Sequence, residues 1–321
     1  MSGSGVRIVI SEFIDHAAAA ALASSFDVRY DPALVERPGE LEAELALADA
    51  LIVRNRTQVD AALLAAAPRL KVVGRLGVGL DNIDLAACAA RGIDVIPATG
   101  ANARSVAEYV ITVAMLLRRG AYGATAAVGA GEWPRAALSQ GRELAGCTLG
   151  VVGFGGIGRL VAELAGALGM LVIGCDAAIP AASPLWAAQR TAPRSLDELL
   201  GEADVVSLHL PLVDATRGLL DAARLALMKP GAILINTSRG GIVDEPALAA
   251  ALRGGKLGGA ALDVFAHEPL AAGSVLADCP GLLLTPHIAG VTRESNARVS
   301  ALVAAAVAGA LARHGGAPAH A

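Results

Sequence analysis

Short apolar runs alternate with alanine-rich stretches of helical spacing over the first hundred residues. Residues 7–10, 50–53, 72–75 and 94–96 read as strands, and 15–24, 40–47, 60–66 and 85–91 read as the helices between them. Apolar spacing over 102–119 predicts one long helix, and the glycine-punctuated stretch 120–146 reads as irregular. A second series follows, with strands expected at 147–152, 171–175, 205–209, 232–236, 259–262 and 282–285, and a helix at 159–168. A long alanine-rich helix, 293–313, and a frayed tail, 315–321, close the chain. Such alternation implies parallel sheets covered by helices on both faces. The expected fold class is α/β, with two doubly wound, Rossmann-like parallel-sheet domains. Residues 102–290 form an inserted domain, and residues 1–101 with 291–321 form the other, completed by the final helix.

The start of the second series carries the sharpest signal. Strand 147–152 runs into Gly153-Phe154-Gly155-Gly156-Ile157-Gly158, and a helix is entered directly from these glycines. Gly153 permits the tight turn, Gly155 lets the backbone approach a pyrophosphate, and Gly158 allows close helix–strand packing, with Gly156 and Ile157 at the helix mouth. The helix N-terminus presents free amides and a partial positive charge to phosphates. The next strand delivers Asp176, eighteen positions after Gly158, where a carboxylate can accept both ribose hydroxyls. That carboxylate would repel a 2′-phosphate, and Ala177 and Ala178 supply no compensating arginine. NAD, rather than NADP, is the expected cofactor.

Composition narrows the class. At 321 residues the chain suits two domains better than one core. A hydrophobic share of 55% and a mean hydropathy of +0.56 raise the question of a membrane protein, but alanine supplies much of both. The longest charge-free helical run, 299–312, falls short of the roughly eighteen apolar residues that a span needs, and no secretory pattern follows Met1. Cys88, Cys147, Cys175 and Cys279 have no paired or CxxC spacing, so neither disulfides nor a metal site is indicated. A net charge of −4 argues against a nucleic-acid partner. A soluble cytoplasmic protein, with no membrane association, is expected.

Three polar residues follow late strands of the inserted domain. Arg239 lies in Asn-Thr-Ser-Arg-Gly-Gly, Glu268 in Asp-Val-Phe-Ala-His-Glu-Pro, and His287 in Thr-Pro-His-Ile-Ala-Gly. In doubly wound folds the carboxyl ends of the strands line the ligand crevice, so all three can point toward one nicotinamide. Hydride exchange between a secondary alcohol and a ketone needs a group that moves the hydroxyl proton, and histidine titrates in the right range. Glu268 is placed to stabilise an imidazolium at His287, and Arg239 offers a planar fork for a carboxylate or a developing alkoxide. His209 also ends a strand, where it can line the adenine side. His267 neighbours Glu268, but adjacent residues on extended chain face opposite ways.

Over essentially its whole length the chain resembles the D-2-hydroxyacid dehydrogenase family. The resemblance rests on the glycine turn, His209-Leu-Pro-Leu212, Met228-Lys-Pro-Gly-Ala232, Ile235-Asn-Thr-Ser-Arg-Gly-Gly-Ile-Val-Asp244, Ala261-Leu-Asp-Val-Phe265 and Thr285-Pro-His-Ile-Ala289. It implies Arg239, Glu268 and His287 as the catalytic set. It also implies that Thr237, Ser238, Asp263 and residues 287–290, with Ala289 and Gly290, touch the nicotinamide half of NAD, while Leu210 and Pro211 sit by the adenosine. Two doubly wound domains with a cleft between them, usually as homodimers, are implied as well. His267 stands where acidic residues are common in the family. Formate dehydrogenases share the scaffold but pair their histidine with glutamine, where this chain has Glu268. Transcriptional corepressors on the same fold represent another class, dinucleotide sensing, against which the complete Arg–Glu–His set argues.

The N-terminal domain is expected to set specificity. Val73-Gly-Arg-Leu-Gly-Val-Gly-Leu-Asp-Asn-Ile-Asp84 is similar to the family segment whose glycine loop, here Gly77-Val78-Gly79, binds the substrate carboxylate through backbone amides. Val53-Arg-Asn-Arg-Thr57 resembles the loop of D-3-phosphoglycerate dehydrogenases in which an arginine, here Arg54, faces the phosphate. Arg75 matches those enzymes too, and Arg104 lies near the hinge beside Asn102. Trp133-Pro134-Arg135 falls where that subfamily can lend an arginine to its dimer partner. Converging arginines suggest a substrate with a second anion besides its carboxylate. D-3-phosphoglycerate is the first candidate, and sulfolactate offers nearly the same charge pattern. The chain reads as a short form without the regulatory domain of longer phosphoglycerate dehydrogenases.

Overall fold

The computed structural model describes residues 5–315; the expected frayed tail, beyond Gly315, lies outside them. Short polar residues start the helices. Asp15, Asp60, Asp84, Ser195, Asp221, Asp244 and Thr292 each accept a hydrogen bond from a backbone N–H of the following first turn. The chain divides into two compact units, one comprising the described residues up to Asn102 and from Val291 onward, the other Ala103–Gly290.

The first unit is a five-stranded parallel sheet built from β1 (Arg7–Ile10), β2 (Asp27–Tyr30), β3 (Ala50–Val53), β4 (Val72–Arg75) and β5 (Asp94–Pro97), in the order β2-β1-β3-β4-β5. The sequence pattern does not announce β2. It is a four-residue edge strand in which Val28 and Tyr30 lean on the core while Arg29 pairs with Glu40 at 3.0 Å. The 21-residue helix Arg293–Arg313 is long and apolar enough, by length and composition, to cross a membrane, with mean hydropathy 1.4. Its Val299, Val303 and Val307 are buried against Ile8, Ile52 and Val72 of the sheet, so core packing accounts for that apolar stripe.

The second unit is a seven-stranded parallel sheet. Its strands are β6 (Thr148–Val152), β7 (Leu171–Cys175), β8 (Ala192–Pro193), β9 (Val205–Leu208), β10 (Ala232–Asn236), β11 (Leu257–Leu262) and β12 (Leu282–Leu284), in the order β12-β11-β10-β9-β6-β7-β8. Apolar layers cover both faces. On one face, Val106, Val110 and Val113 of the helix Ala103–Arg119 pack with Val161 and Ala165 of the helix Gly156–Ala167. Two expectations need correction here. The helix after β6 starts at Gly156 rather than 159, so the glycines form its first turn. The stretch 120–146 is not wholly irregular: it holds a 3₁₀ turn, Tyr122–Ala124, and the helices Thr125–Gly129 and Arg135–Leu138. None of these buries a residue, so no apolar periodicity marks them in the sequence.

Candidate active site

Register across the second sheet builds the site. Cys175, Val152, Leu208, Asn236, Leu262 and Leu284 lie side by side at the carboxyl ends of six neighbouring strands. The residues that follow them, from Asp176 and Gly153 to Thr237, Asp263 and Thr285, therefore emerge along one edge.

At the β6 end, Gly153 takes φ +91°, and a Cβ there would come within 2.3 Å of the His209 carbonyl oxygen and 3.0 Å of the Leu210 side chain. Only glycine makes this turn. A Cβ on Gly158 would meet the Gly153 carbonyl oxygen at 2.2 Å, whereas one on Gly155 or Gly156 would meet nothing within 4 Å. The helix mouth is thus closely packed behind and open in front. Asp176 is drawn against the turn: its Oδ2 accepts from the Phe154 N–H at 2.7 Å and its Oδ1 from the Ala178 N–H at 2.8 Å. Burial pushes the neighbouring Cys175 thiol up to about 11, with the Asp176 charge adding to it. Burial pushes His209 down to about 4; its ring pairs with the Ser207 hydroxyl at 2.9 Å.

Ser238 has a structural task at this edge. Its buried hydroxyl donates to the Leu208 carbonyl and accepts from the Leu210 N–H at 3.1 Å, so it ties two loops together. Beside it, the buried Thr237 Oγ1 has no hydrogen-bond partner among the described residues. An open helix mouth, an anchored carboxylate and an orphan buried hydroxyl fit a bound dinucleotide.

At the β10–β12 end three loops converge. Asn236 clamps its own turn, with Oδ1 accepting from the Ser238 N–H at 3.0 Å and Nδ2 donating to the Arg239 carbonyl at 2.9 Å. Arg239 Nη1 donates to the Ser238 carbonyl at 2.6 Å. A Cβ on Gly240 would lie 1.7 Å from the Phe265 carbonyl oxygen, so this glycine lets the Arg239 turn touch the loop after β11. In that loop the Phe265 N–H donates to Glu268 Oε1 at 3.1 Å and the Ala266 N–H to Glu245 Oε1 at 2.7 Å. Glu268 Oε2 lies 2.8 Å from His287 Nδ1.

His287 has φ +55°, a left-handed conformation uncommon outside glycine. The Asp263 carboxylate, 1% exposed, secures it. Oδ1 accepts from the Thr285 hydroxyl at 2.6 Å and the Ile288 N–H at 2.8 Å, and Oδ2 accepts from the Ala289 N–H at 2.8 Å. The Asp263 carbonyl takes the His287 N–H at 2.9 Å. With Thr285 committed to Asp263, Tyr109 donates its hydroxyl to Thr285 Oγ1 at 2.7 Å, and burial pushes the Tyr109 phenol up. Sequence reasoning placed Glu268 beside His287 but missed Tyr109, Glu245, Gly240 and the Thr285 hydroxyl. Gly240 and Thr285 lie inside quoted motifs; nothing in the sequence points to Tyr109.

In the first unit, Arg54 directly follows β3, and Arg75 ends β4 in register with Val53. A Cβ on Gly77 would fall 1.4 Å from Arg75 Nη1, so that guanidinium lies over the loop of Gly77, Val78 and Gly79, with Val78 exposed. Asn102 Oδ1 is buried without a hydrogen-bond partner among the described residues. Arg104, by contrast, belongs to the second unit and is a solvated helix residue 4.0 Å from Glu108. Arg135 is exposed in the short helix Arg135–Leu138.

Residues 111–289 match the family described as D-isomer specific 2-hydroxyacid dehydrogenase, NAD binding domain. The chain is 57% identical to the (S)-sulfolactate dehydrogenase of Chromohalobacter salexigens over 91% of its own length and 94% of that protein. It is 43% identical to the D-3-phosphoglycerate dehydrogenase of Mycobacterium tuberculosis over 95% of its own length, but spans only 57% of that enzyme. Among solved structures, the TT0316 protein of Thermus thermophilus superposes with a TM-score of 0.87 at 36% identity, covering 98% of this chain and 99% of that one.

Proposed function

Because the chain belongs to the D-isomer specific 2-hydroxyacid dehydrogenase family, we propose that it interconverts a 2-hydroxy acid and its 2-keto acid with NAD. The substrate carries a second anion, sulfolactate being favoured over D-3-phosphoglycerate. The observation that carries the reading is the 2.8 Å contact between His287 and Glu268 on the same sheet edge as the glycine turn. With Nδ1 held by Glu268, Nε2 of His287 is the ring nitrogen left to take the hydroxyl proton during oxidation and return it during reduction. Glu268 stabilises the imidazolium formed in between. Arg239 binds the substrate carboxylate and steadies the developing alkoxide. When bound, NAD would supply the hydride acceptor for oxidation and the hydride donor for reduction. Asp176 selects against the 2′-phosphate of NADP.

The higher identity to the sulfolactate dehydrogenase, over nearly its full length, supports the sulfonate. We also propose a homodimer: Val128 and Trp133, the latter 77% exposed, line one surface depression with Arg135, which could serve a partner's site. The cytoplasm is the proposed compartment, in keeping with four unbonded cysteines. NADH oxidation with sulfopyruvate, phosphohydroxypyruvate, hydroxypyruvate, glyoxylate and pyruvate tests the whole reading through relative kcat/KM. Sulfopyruvate is expected to lead. NADH binding with no turnover of any keto acid would replace the enzyme by a dinucleotide sensor.

A further inference from the structure

The loop that presents Arg54 is held unusually firmly. Glu12, only 4% exposed, spends its carboxylate on backbone: Oε1 accepts from the N–H groups of Arg54 at 2.9 Å and Thr57 at 3.0 Å, and Oε2 from that of Arg56 at 3.1 Å. Asn82 donates to the carbonyls of Arg54 at 3.2 Å and Thr57 at 2.7 Å, and the Ser11 and Thr57 hydroxyls share a 2.9 Å bond. The root of the Arg54 side chain therefore cannot wander. Its guanidinium is half-buried; burial pushes its pKa down, and the Glu12 charge opposes that.

That guanidinium makes no salt bridge among the described residues. Its Nη2 donates instead to Asn296 Oδ1 at 2.8 Å, and Cζ lies 5.7 Å from the centre of the Phe13 ring. Asn296 stands in the first turn of the helix Arg293–Arg313, whose valines are locked in the core. Ser300 of the same helix accepts from the Asp15 N–H at 3.0 Å, tying it to the loop that carries Glu12 and Phe13. The acceptor is as rigidly mounted as the donor.

A guanidinium withdrawn from water is ordinarily paired with a carboxylate. Here the side chain that orients it is neutral, and the ring supports it without cancelling its charge. A planar cation that is fixed, partly desolvated and bonded to no carboxylate, Glu12 acting on it only through space, is a receptor for a tetrahedral oxyanion. Resting on the dehydrogenase reading above, we propose that Asn296 is a specificity-determining positioning residue, which aims Arg54 at the second anion of the substrate without consuming its charge. The oxyanion is a sulfonate or a phosphate ester on the carbon next to the keto group. One guanidinium balances the single charge of a sulfonate better than the charge of about −1.5 to −2 on a phosphate monoester near pH 7.

The test is a ratio. For wild type, Asn296→Asp, Asn296→Gln, Asn296→Ala and Arg54→Ala, kcat/KM is measured for sulfopyruvate against pyruvate and for phosphohydroxypyruvate against hydroxypyruvate. The arm with the larger wild-type ratio identifies the oxyanion. In that arm Asn296→Asp should lower the ratio on the order of tenfold or more, mainly through KM of the doubly charged acid, because a carboxylate now occupies the fork. Asn296→Gln keeps a neutral acceptor and should retain most of the ratio. Should the aspartate variant not fold, Asn296→Ala decides, with a several-fold fall expected. An unchanged ratio in Asn296→Asp, or equal losses on all four acids in both the aspartate and glutamine variants, overturns the role of Asn296. Arg54→Ala isolates the premise. Equal losses there on every keto acid sink the two-anion reading itself, whereas selective loss there with an intact ratio in Asn296→Asp sinks only the Asn296 proposal.

Discussion

Replacing Asp263 by asparagine probes how His287 is held. The carboxylate takes three donors: the Thr285 hydroxyl and two backbone N–H groups, those of Ile288 and Ala289. Asparagine keeps one carbonyl oxygen and turns the other atom into an NH2 group facing a donor. At least one charge-assisted bond is lost, worth about 1.5–3 kcal/mol, inside a site that is 1% exposed. The left-handed backbone of His287 at φ +55°, which costs about 1–2 kcal/mol, then loses part of what offsets it. If about 2–3 kcal/mol of this appears as displacement of the imidazole, kcat should fall roughly 30- to 150-fold. The assays are steady-state NADH oxidation with the preferred keto acid, NADH affinity by fluorescence titration and urea unfolding. Thr285→Val and Tyr109→Phe remove neutral bonds further out and should cost about 1 kcal/mol or less each, near fivefold in rate. A kcat for Asp263→Asn within about threefold of wild type would refute the reasoning. A loss confined to NADH affinity would do the same, by moving Asp263 from holding the histidine to touching the cofactor.

Glu268→Gln preserves shape but removes the charge beside His287; kcat should drop on the order of a hundredfold with NADH affinity near wild type, and a rate within tenfold would mean Glu268 only orients the ring. Asp176→Ala removes both the repulsion toward a 2′-phosphate and the acceptor for the Phe154 N–H. NADH should bind more weakly, while the NADPH-to-NADH ratio of kcat/KM rises on the order of tenfold; an unchanged ratio argues that Asp176 does not face the ribose. His209 has a folded-state pKa of about 4, below the unfolded value of about 6.5. The unfolded chain therefore binds the extra proton first, and stability is full above about pH 6.5 and lost as pH falls toward 4. On the order of 2–3 kcal/mol is at stake, and chemical denaturation across that window should show the decline flattened in His209→Asn.

Much of this molecule was legible in the chain before any coordinates. The strands ending at Val152, Asn236 and Leu262 announce themselves as apolar runs, because strands covered on both faces need apolar side chains throughout. The glycine turn at Gly153 is legible because positive φ and a 2.3 Å approach to His209 exclude every other residue. The edge strand β2 was not legible because it offers only two apolar side chains, Val28 and Tyr30, among charged neighbours, and the helices of 120–146 were not because they bury no residue.

The pairing of Glu268 with His287 was anticipated because both follow ends of adjacent strands, which topology sets side by side. What lies beyond that depended on the tertiary structure alone. Tyr109 meets Thr285 across 176 positions of chain, and Arg54 meets Asn296 across 242. Local propensity and spacing act within a few residues of sequence, so they settle where strands, turns and helix starts fall. A contact between side chains so far apart exists only after sheet register and helix packing have set their backbones, and no local pattern encodes it. For the same reason the sequence by itself names Arg54 as a cation, while only the fold reveals that the group steering it is a neutral amide.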